Sequence, residues 1–299
     1  MIILATCNAM EKQNRTGYIL IPIQNKENNS YRIFTQKTKI QNQNVYIAKI
    51  ANLSSSTFRI LVQDVMCSLQ KTSSFAKQNE CEYATNGGPF NSYISGGCVG
   101  LTISNGTIVT GNNAMNTNAV IDENVGFGIT KSNQWVLGDV LANQEGKRNN
   151  IIPHLKEFVT GLHGWLVYNS TNVVSRMNLK QSAKSDITAP RTVIGVNKNG
   201  ETLTLLQVDG CEHCWTNNKE EGRGLTLFQV AEAMKKYADY AINLDGGGSS
   251  SSVLNGKVIN QPTCLDYVWK KCERPVASVV CIGKDPNKIM TQADAYKQV

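Results

Sequence analysis

Residues 240–256 read YAINLDGGGSSSSVLNG. The stretch opens as a strand, passes a single carboxylate at Asp245, and spends three glycines and four serines before turning apolar again. A chain that needed only a turn would use one or two such residues. Just upstream, RTVIGVNKNGETLTLLQVDG (191–210) reads as two strands around an Asn-Gly turn. Between the two stretches, GLTLFQVAEAMKKYADY (224–240) puts Leu227, Val230, Ala231 and Met234 on one helical face. Thr226 followed three residues on by Gln229 is a capping-box start for that helix. Residues 202–245 therefore read as strand, helix, strand. A right-handed βαβ crossover lays two such strands parallel in one sheet. Asp209 ends the first and Asp245 the second, so both carboxylates are expected on one edge, facing one crevice.

The rest of the chain reads mostly as β. YRIFTQ, NVYIAKI and TFRILVQDVM are strand-like, and Asn-Gly turns break 85–111 into hairpins. Weaker strand signals lie at QWVLGDVL and GWLVYNSTNVV, and no repeat is evident. The expected fold class is α/β or mixed α+β: a largely mixed β-sheet with few helices and a βαβ unit at about 202–245. A chain of this size buries about 75% of its unfolded surface, so it needs neither metal nor disulfide merely to fold.

Composition narrows the function classes. The 41% hydrophobic and 18% charged content is that of an ordinary globular protein. The net charge of +7 is scattered, with no basic run longer than a pair such as Lys235-Lys236, which argues against a nucleic-acid surface. No apolar stretch reaches the ~18 residues of a membrane span. The opening MIILAT lacks the basic start of a signal peptide. Nine cysteines pull the other way, towards an oxidising compartment, and their odd number leaves at least one unpaired within the chain. The five N-x-Ser/Thr triplets are about what chance supplies in a chain so rich in Asn, Ser and Thr, so they decide nothing.

Two acids across a crevice are the equipment of glycoside hydrolysis, although either Asp alone could simply cap a turn. Gly246, Gly247 and Gly248 can turn successive N–H groups into a concave anion nest, with the hydroxyls of Ser249 and Ser250 as further donors. An acid beside such a nest suits a substrate carrying both a sugar and a phosphate. A P-loop is excluded, because no Gly-Lys-Ser/Thr follows. Arg191 and Arg274, each next to a proline at a strand start, offer guanidinium forks for phosphate. Asn86 and Gly87 in TNGGPF form a turn whose amide could bond a sugar hydroxyl or hold the turn itself. His163 in GLHGW is a weaker candidate for the same pocket. CEHC at 211–214 lacks a second Cys/His pair at zinc spacing, so a loop disulfide suits it better than zinc or redox catalysis.

CEYATNGGPF, GGCVGLTISNG, APRTVIGVNKNGETLTLLQVDG, GLTLFQVAEAM, AINLDGGGSSSSVLNG and CLDYVWKKCERPVASVVC together resemble the phosphodiester glycosidase family. The likeness covers roughly 80–105 and 188–283; NLDGGGSS followed some 25 residues later by RPVA is its most specific part. The chain departs from the family at Pro89, where an aromatic is usual, and at Gln229, where an acid is common. The resemblance implies a metal-free, cofactor-free hydrolase. It would remove a terminal sugar, alpha-N-acetylglucosamine, from a sugar–phosphate–sugar diester and expose a phosphomonoester such as mannose 6-phosphate. Asp245, Asp209 and Arg191 would be catalytic, and the substrate a glycan or glycoprotein. It further implies a catalytic domain over 61–283, an N-terminal β-rich segment (1–60) packed on it, and a tail at 284–299. The place would be the secretory lumen or the outside of the cell. Carried over residue by residue, the family's bridges pair Cys67 with Cys98, Cys81 with Cys281 and Cys264 with Cys272. Cys211 and Cys214 are then left to close a local bridge, with Cys7 free. The competing class is a secreted, non-catalytic carbohydrate-binding protein on the same fold.

Overall fold

The computed structural model describes residues 17–24, 30–92, 96–109, 124–141, 151–174, 187–214, 222–265, 268 and 270–283. Cys7 and the tail from residue 284 lie outside them. Three large sheets and two two-stranded ones share the described chain. The seven-stranded sheet runs, in order, Thr171–Asn172, Trp165–Tyr168, Tyr240–Asn243, Arg191–Val196, Thr202–Val208, Gln43–Ala51 and Arg32–Ile40. A five-stranded sheet holds Lys257–Val258, Ser252–Leu254, Cys81–Asn86, Ser278–Gly283 and Phe58–Val62. A six-stranded sheet is built from Tyr18–Pro22, Gln134–Asp139, Val125–Thr130, Leu155–Thr160, Thr102–Ser104 and Thr107–Val109.

Alternation along the strands explains the layering. In the seven-stranded sheet Ile194, Leu203, Leu205 and Ile242 face one way, into a core shared with Phe58, Tyr83 and Val280 of the five-stranded sheet and Phe127 and Trp135 of the six-stranded one. Val193, Leu206, Val208 and Ala241 face the other way, onto helix α2, Leu227–Met234. The shorter helix α1, Thr72–Gln78, packs against the five-stranded sheet through Phe75 and Ala76. On α2, Leu227, Val230, Ala231 and Met234 are buried. Both halves of the capping box form: Thr226 Oγ1 accepts from Gln229 N–H, and Gln229 Oε1 from Thr226 N–H.

The fold is β-rich, with two short helices among the described residues; where a mixed sheet was expected, the described strands pair antiparallel within each of the three large sheets. Thr202–Val208 and Tyr240–Asn243 lie in one sheet but are not neighbours, because Arg191–Val196 stands between them and is antiparallel to both. The Asn-Gly hairpin explains this: Arg191 pairs with Val208, so the hairpin's outer edge remains open for Tyr240–Asn243. The two strands therefore run in the same direction, and α2 crosses over one strand. Residues before 61 also supply strands to these sheets, and Phe58–Val62 spans position 60 itself.

Four disulfides are formed: Cys67–Cys98, Cys81–Cys281, Cys211–Cys214 and Cys264–Cys272. Cys81–Cys281 joins two paired strands of the five-stranded sheet. Bridges at this density suit the secretory pathway. Among the described residues no helix is long and apolar enough to cross a membrane.

Candidate active site

The 240–256 stretch carries the chain from one sheet to another. It leaves the seven-stranded sheet after Asn243, makes a 3-10 turn at Gly247–Ser249, and enters the five-stranded sheet at Ser252. Asp245 lies in this crossing, half-buried. Its N–H donates to the Gly87 carbonyl at 3.0 Å, and its own carbonyl accepts from Asn86 Nδ2 at 2.7 Å. Gly87 is required here, since a Cβ would lie 2.5 Å from Ser278 Oγ and 3.0 Å from the Ser278 backbone. The Asn86–Gly88 turn thus lies directly under the acid.

The glycine turn differs from the anion nest expected of it. Four of its N–H groups donate within the chain: Gly246 to Asp245 Oδ1, Gly247 to the Pro190 carbonyl, Ser249 to Gly246 and Ser250 to Gly247. Gly247 has φ +56°, which closes the turn on itself. What lies beside the turn is a guanidinium. A Cβ on Gly248 would sit 2.4 Å from Arg274 Nη2, so the bare glycine admits Arg274 into contact with the loop. Arg274 is held by its Nε donating to the Cys264 carbonyl at 2.9 Å. Ser249 Oγ is buried and has no hydrogen-bond partner among the described residues. Ser250 Oγ lies 3.5 Å from the Thr192 hydroxyl.

Arg191 is buried and faces the α2 side of its sheet. Its Nε and Nη2 donate to the Leu225 and Ile187 carbonyls at 3.2 and 2.7 Å, and burial lowers its pKa to about 10. Asp209 follows Val208 at the same sheet edge as Asp245. Asn260 Nδ2 donates to Asp209 Oδ1 at 3.1 Å and to the Ser250 carbonyl at 3.0 Å, so one amide ties Asp209 to the glycine–serine loop. Gln261 N–H also reaches Asp209 Oδ1, at 2.9 Å, and Tyr46 faces the same carboxylate. Burial raises the pKa of Asp209, against the pull of those donors. The loop around His163 comes to this edge as well: Leu162 N–H donates to the Asn243 carbonyl, and Thr160 abuts Gly88.

Sequence reasoning missed the floor beneath these groups. Gln207, Thr192, Thr85, Ser251 and Ser252 form a buried polar cluster with Asn86. One signal was available: Leu203, Leu205, Gln207 and Asp209 share a face, so an amide interrupts an apolar run two residues before the acid. Asn260 and Tyr46 carry no such local signal, because they reach Asp209 from distant strands and loops.

Two carboxylates thus follow strands at one sheet edge, with a glycine–serine turn beside them and a guanidinium against that turn. The family profile described as phosphodiester glycosidase matches residues 79–283, and the chain belongs to that family. Its relatives include the N-acetylglucosamine-1-phosphodiester alpha-N-acetylglucosaminidases of Bos taurus and Homo sapiens, 31% and 30% identical over 222 residues. Each match covers 69% of this chain but only 38% of the relative's own length. A solved structure of the zebrafish enzyme's catalytic domain, auto-inhibited by its pro-peptide, shares the fold with TM-score 0.68 at 24% identity, covering 90% of this chain and 88% of that one.

Proposed function

We propose that the chain removes a terminal sugar, alpha-N-acetylglucosamine, from a sugar–phosphate–sugar diester and leaves a phosphomonoester such as mannose 6-phosphate on a glycan or glycoprotein. The observation that carries this reading is the placement of Asp245. Its peptide is clamped between Asn86 and Gly87 while Arg274 lies against the loop that follows it. Asp245 serves the anomeric carbon. The bond from that carbon to the phosphate oxygen breaks, its electron pair leaves on the phosphate, and water supplies the new hydroxyl. A phosphomonoester, with second pKa near ~6, leaves far more readily than a sugar hydroxyl, so stabilising its charge matters more than protonating it.

Arg274 and the buried Ser249 hydroxyl take the phosphate, with Ser250 and Gly246–Gly248 shaping the wall. Arg191, whose donors hold two carbonyls, contributes its charge from below the loop. Asp209, kept protonated more readily by burial, is the acid/base partner. The Asn86–Gly87 turn and the His163 loop border the sugar. The strands that end at Asp209 and Asp245 run the same way across α2, which supports a shared crevice. The place of action is the secretory lumen or the outside of the cell.

The test is release of free N-acetylglucosamine from an alpha-linked N-acetylglucosamine-1-phosphomannose diester by the purified protein. Asp245→Asn is expected to lower kcat/KM by on the order of 10² or more at unchanged melting temperature. Retention of more than a tenth of the activity would remove Asp245 from its role.

A further inference from the structure

The segment from Asp245 to Ser251 carries the reacting acid and the hydroxyls, yet it is built of glycine and serine. Fixing each such residue costs about 1–2 kcal/mol in backbone entropy, so the surroundings must hold the loop. Its first end is pinned by Asn86 Nδ2 on the Asp245 carbonyl. Its far end, Ser251, is pinned by Gln207 together with Asn86, whose N–H donates to the Ser251 carbonyl at 3.3 Å and whose Oδ1 accepts from Ser251 N–H at 3.2 Å. The Gln207 amide oxygen accepts from Ser251 N–H at 2.9 Å, and its amide nitrogen donates to the Ser251 carbonyl at 3.3 Å and to Ser252 Oγ at 2.6 Å. Gln207 is buried in a strand whose other residues on that face, Leu203 and Leu205, are apolar. A lone buried amide is costly unless satisfied. The Gln207 amide is satisfied by this loop and its neighbours Thr85 and Thr192.

Gln207 also meets Asn86. The two amides share the Ser251 N–H, 2.9 Å from the Gln207 oxygen and 3.2 Å from Asn86 Oδ1, while the Thr192 hydroxyl, 2.8 and 2.9 Å from the same two oxygens, has one proton to give to either. Asn86 belongs to the five-stranded sheet and Gln207 to the seven-stranded one. Asn86 therefore reaches both ends of the glycine-rich loop, Gln207 grips its far end from the other sheet, and the two amides meet at Ser251 N–H. We infer that Gln207 is a positioning residue, which fixes the Asp245 carboxylate by anchoring the far end of its loop at Ser251, where it shares the Ser251 N–H with Asn86. The inference deepens the proposed function and rests on Asp245 being the reacting acid. A misplacement of about 1 Å at a reacting group can cost on the order of 10²-fold in rate.

Gln207→Leu keeps the size and burial of the side chain but removes the grip. Its kcat on the N-acetylglucosamine-1-phosphomannose diester is expected to fall about 10- to 100-fold with KM within about threefold, at an assay temperature below the melting transition. Gln207→Glu, when protonated, again offers one acceptor and one donor. Its kcat relative to wild type at the same pH should approach one at low pH and decline towards the ratio of the Leu variant as pH rises, whereas a merely structural role predicts no such recovery. Hydrogen exchange gives a readout that needs no turnover: in Gln207→Leu the amides of residues 245–252 should exchange faster while α2 and the remaining strands keep wild-type rates. An unchanged exchange rate at 245–252, or acceleration spread evenly over the whole chain, would overturn the inference whatever the substrate. Wild-type kcat in Gln207→Leu would overturn it too. A wild-type protein that cleaves no diester would defeat the functional reading alone, and the exchange pattern would still decide the role of Gln207.

Discussion

Asp209 and Asp245 are both aspartates at strand ends, and their surroundings separate them. Asp245 is half-buried and receives Gly246 N–H on its carboxylate. Asp209 is buried, and loss of hydration raises its pKa. Burial that favours the protonated form suits Asp209 to the role of proton donor. An alkaline limb is expected in the pH dependence of kcat/KM, set by ionisation of Asp209. Asp209→Asn should remove that limb and lower the rate on the order of 10²-fold; a variant with wild-type rate and an unchanged limb would reduce Asp209 to a brace for Asn260 and Gln261. Arg274 against Gly248 should need its fork, so Arg274→Lys is expected to raise KM for the diester more than Arg191→Lys does, because two Arg191 donors are already held by carbonyls. Equal effects of the two lysine variants would contradict that division. The two acids, both arginines and the glycine–serine run were legible in the sequence because each stands at the end of a readable strand or in an unusual local run. The use of their donors was not. Whether an N–H in Gly246–Ser250 faces a ligand or a neighbouring carbonyl depends on Pro190, which only the fold brings there.

Helix α2 was readable from its 3.6-residue apolar spacing and its capping box, and the Asn-Gly hairpin from its turn, since both are local. The position of Arg191–Val196 between Thr202–Val208 and Tyr240–Asn243 was not, because it depends on which free edge a later strand meets. The crossing loop is likewise an element-scale device, in which bare backbone lets side chains from three directions approach. Gly248→Ala tests this. The new methyl would collide with the Arg274 guanidinium and the Thr263 carbonyl, 2.7 Å away, and force one to move. We expect turnover to fall at least tenfold while the melting temperature drops by only a few degrees, about 1–3 kcal/mol of strain confined to the loop. Unchanged kinetics would show that Arg274 does not need this contact.

Across the whole molecule, bonds distant in sequence hold the three sheets in register around the site. Cys81–Cys281 spans a sequence separation of 200, and its loss should cost about 2–5 kcal/mol or somewhat less in so large a chain. Glu157, on the six-stranded sheet, accepts Ile60 N–H from the five-stranded sheet and Asn105 N–H from a hairpin turn. Burial raises its pKa from 4.5 to about 7. The folded state therefore holds this proton more tightly than the unfolded chain does, so the stability it contributes is full below pH 4.5 and is lost as pH rises through about 7. Between pH 5 and 8 wild type should lose up to about 2–3 kcal/mol that Glu157→Gln does not lose; parallel denaturation curves across that range would contradict this. The central claim concerns the bond that breaks. Hydrolysis of the N-acetylglucosamine-1-phosphomannose diester in ¹⁸O-water, followed by mass spectrometry of both products, reads it directly. The label is expected on the anomeric hydroxyl of the released sugar, with none in the phosphomonoester. Label in the phosphate would mean cleavage at phosphorus and would contradict the claim.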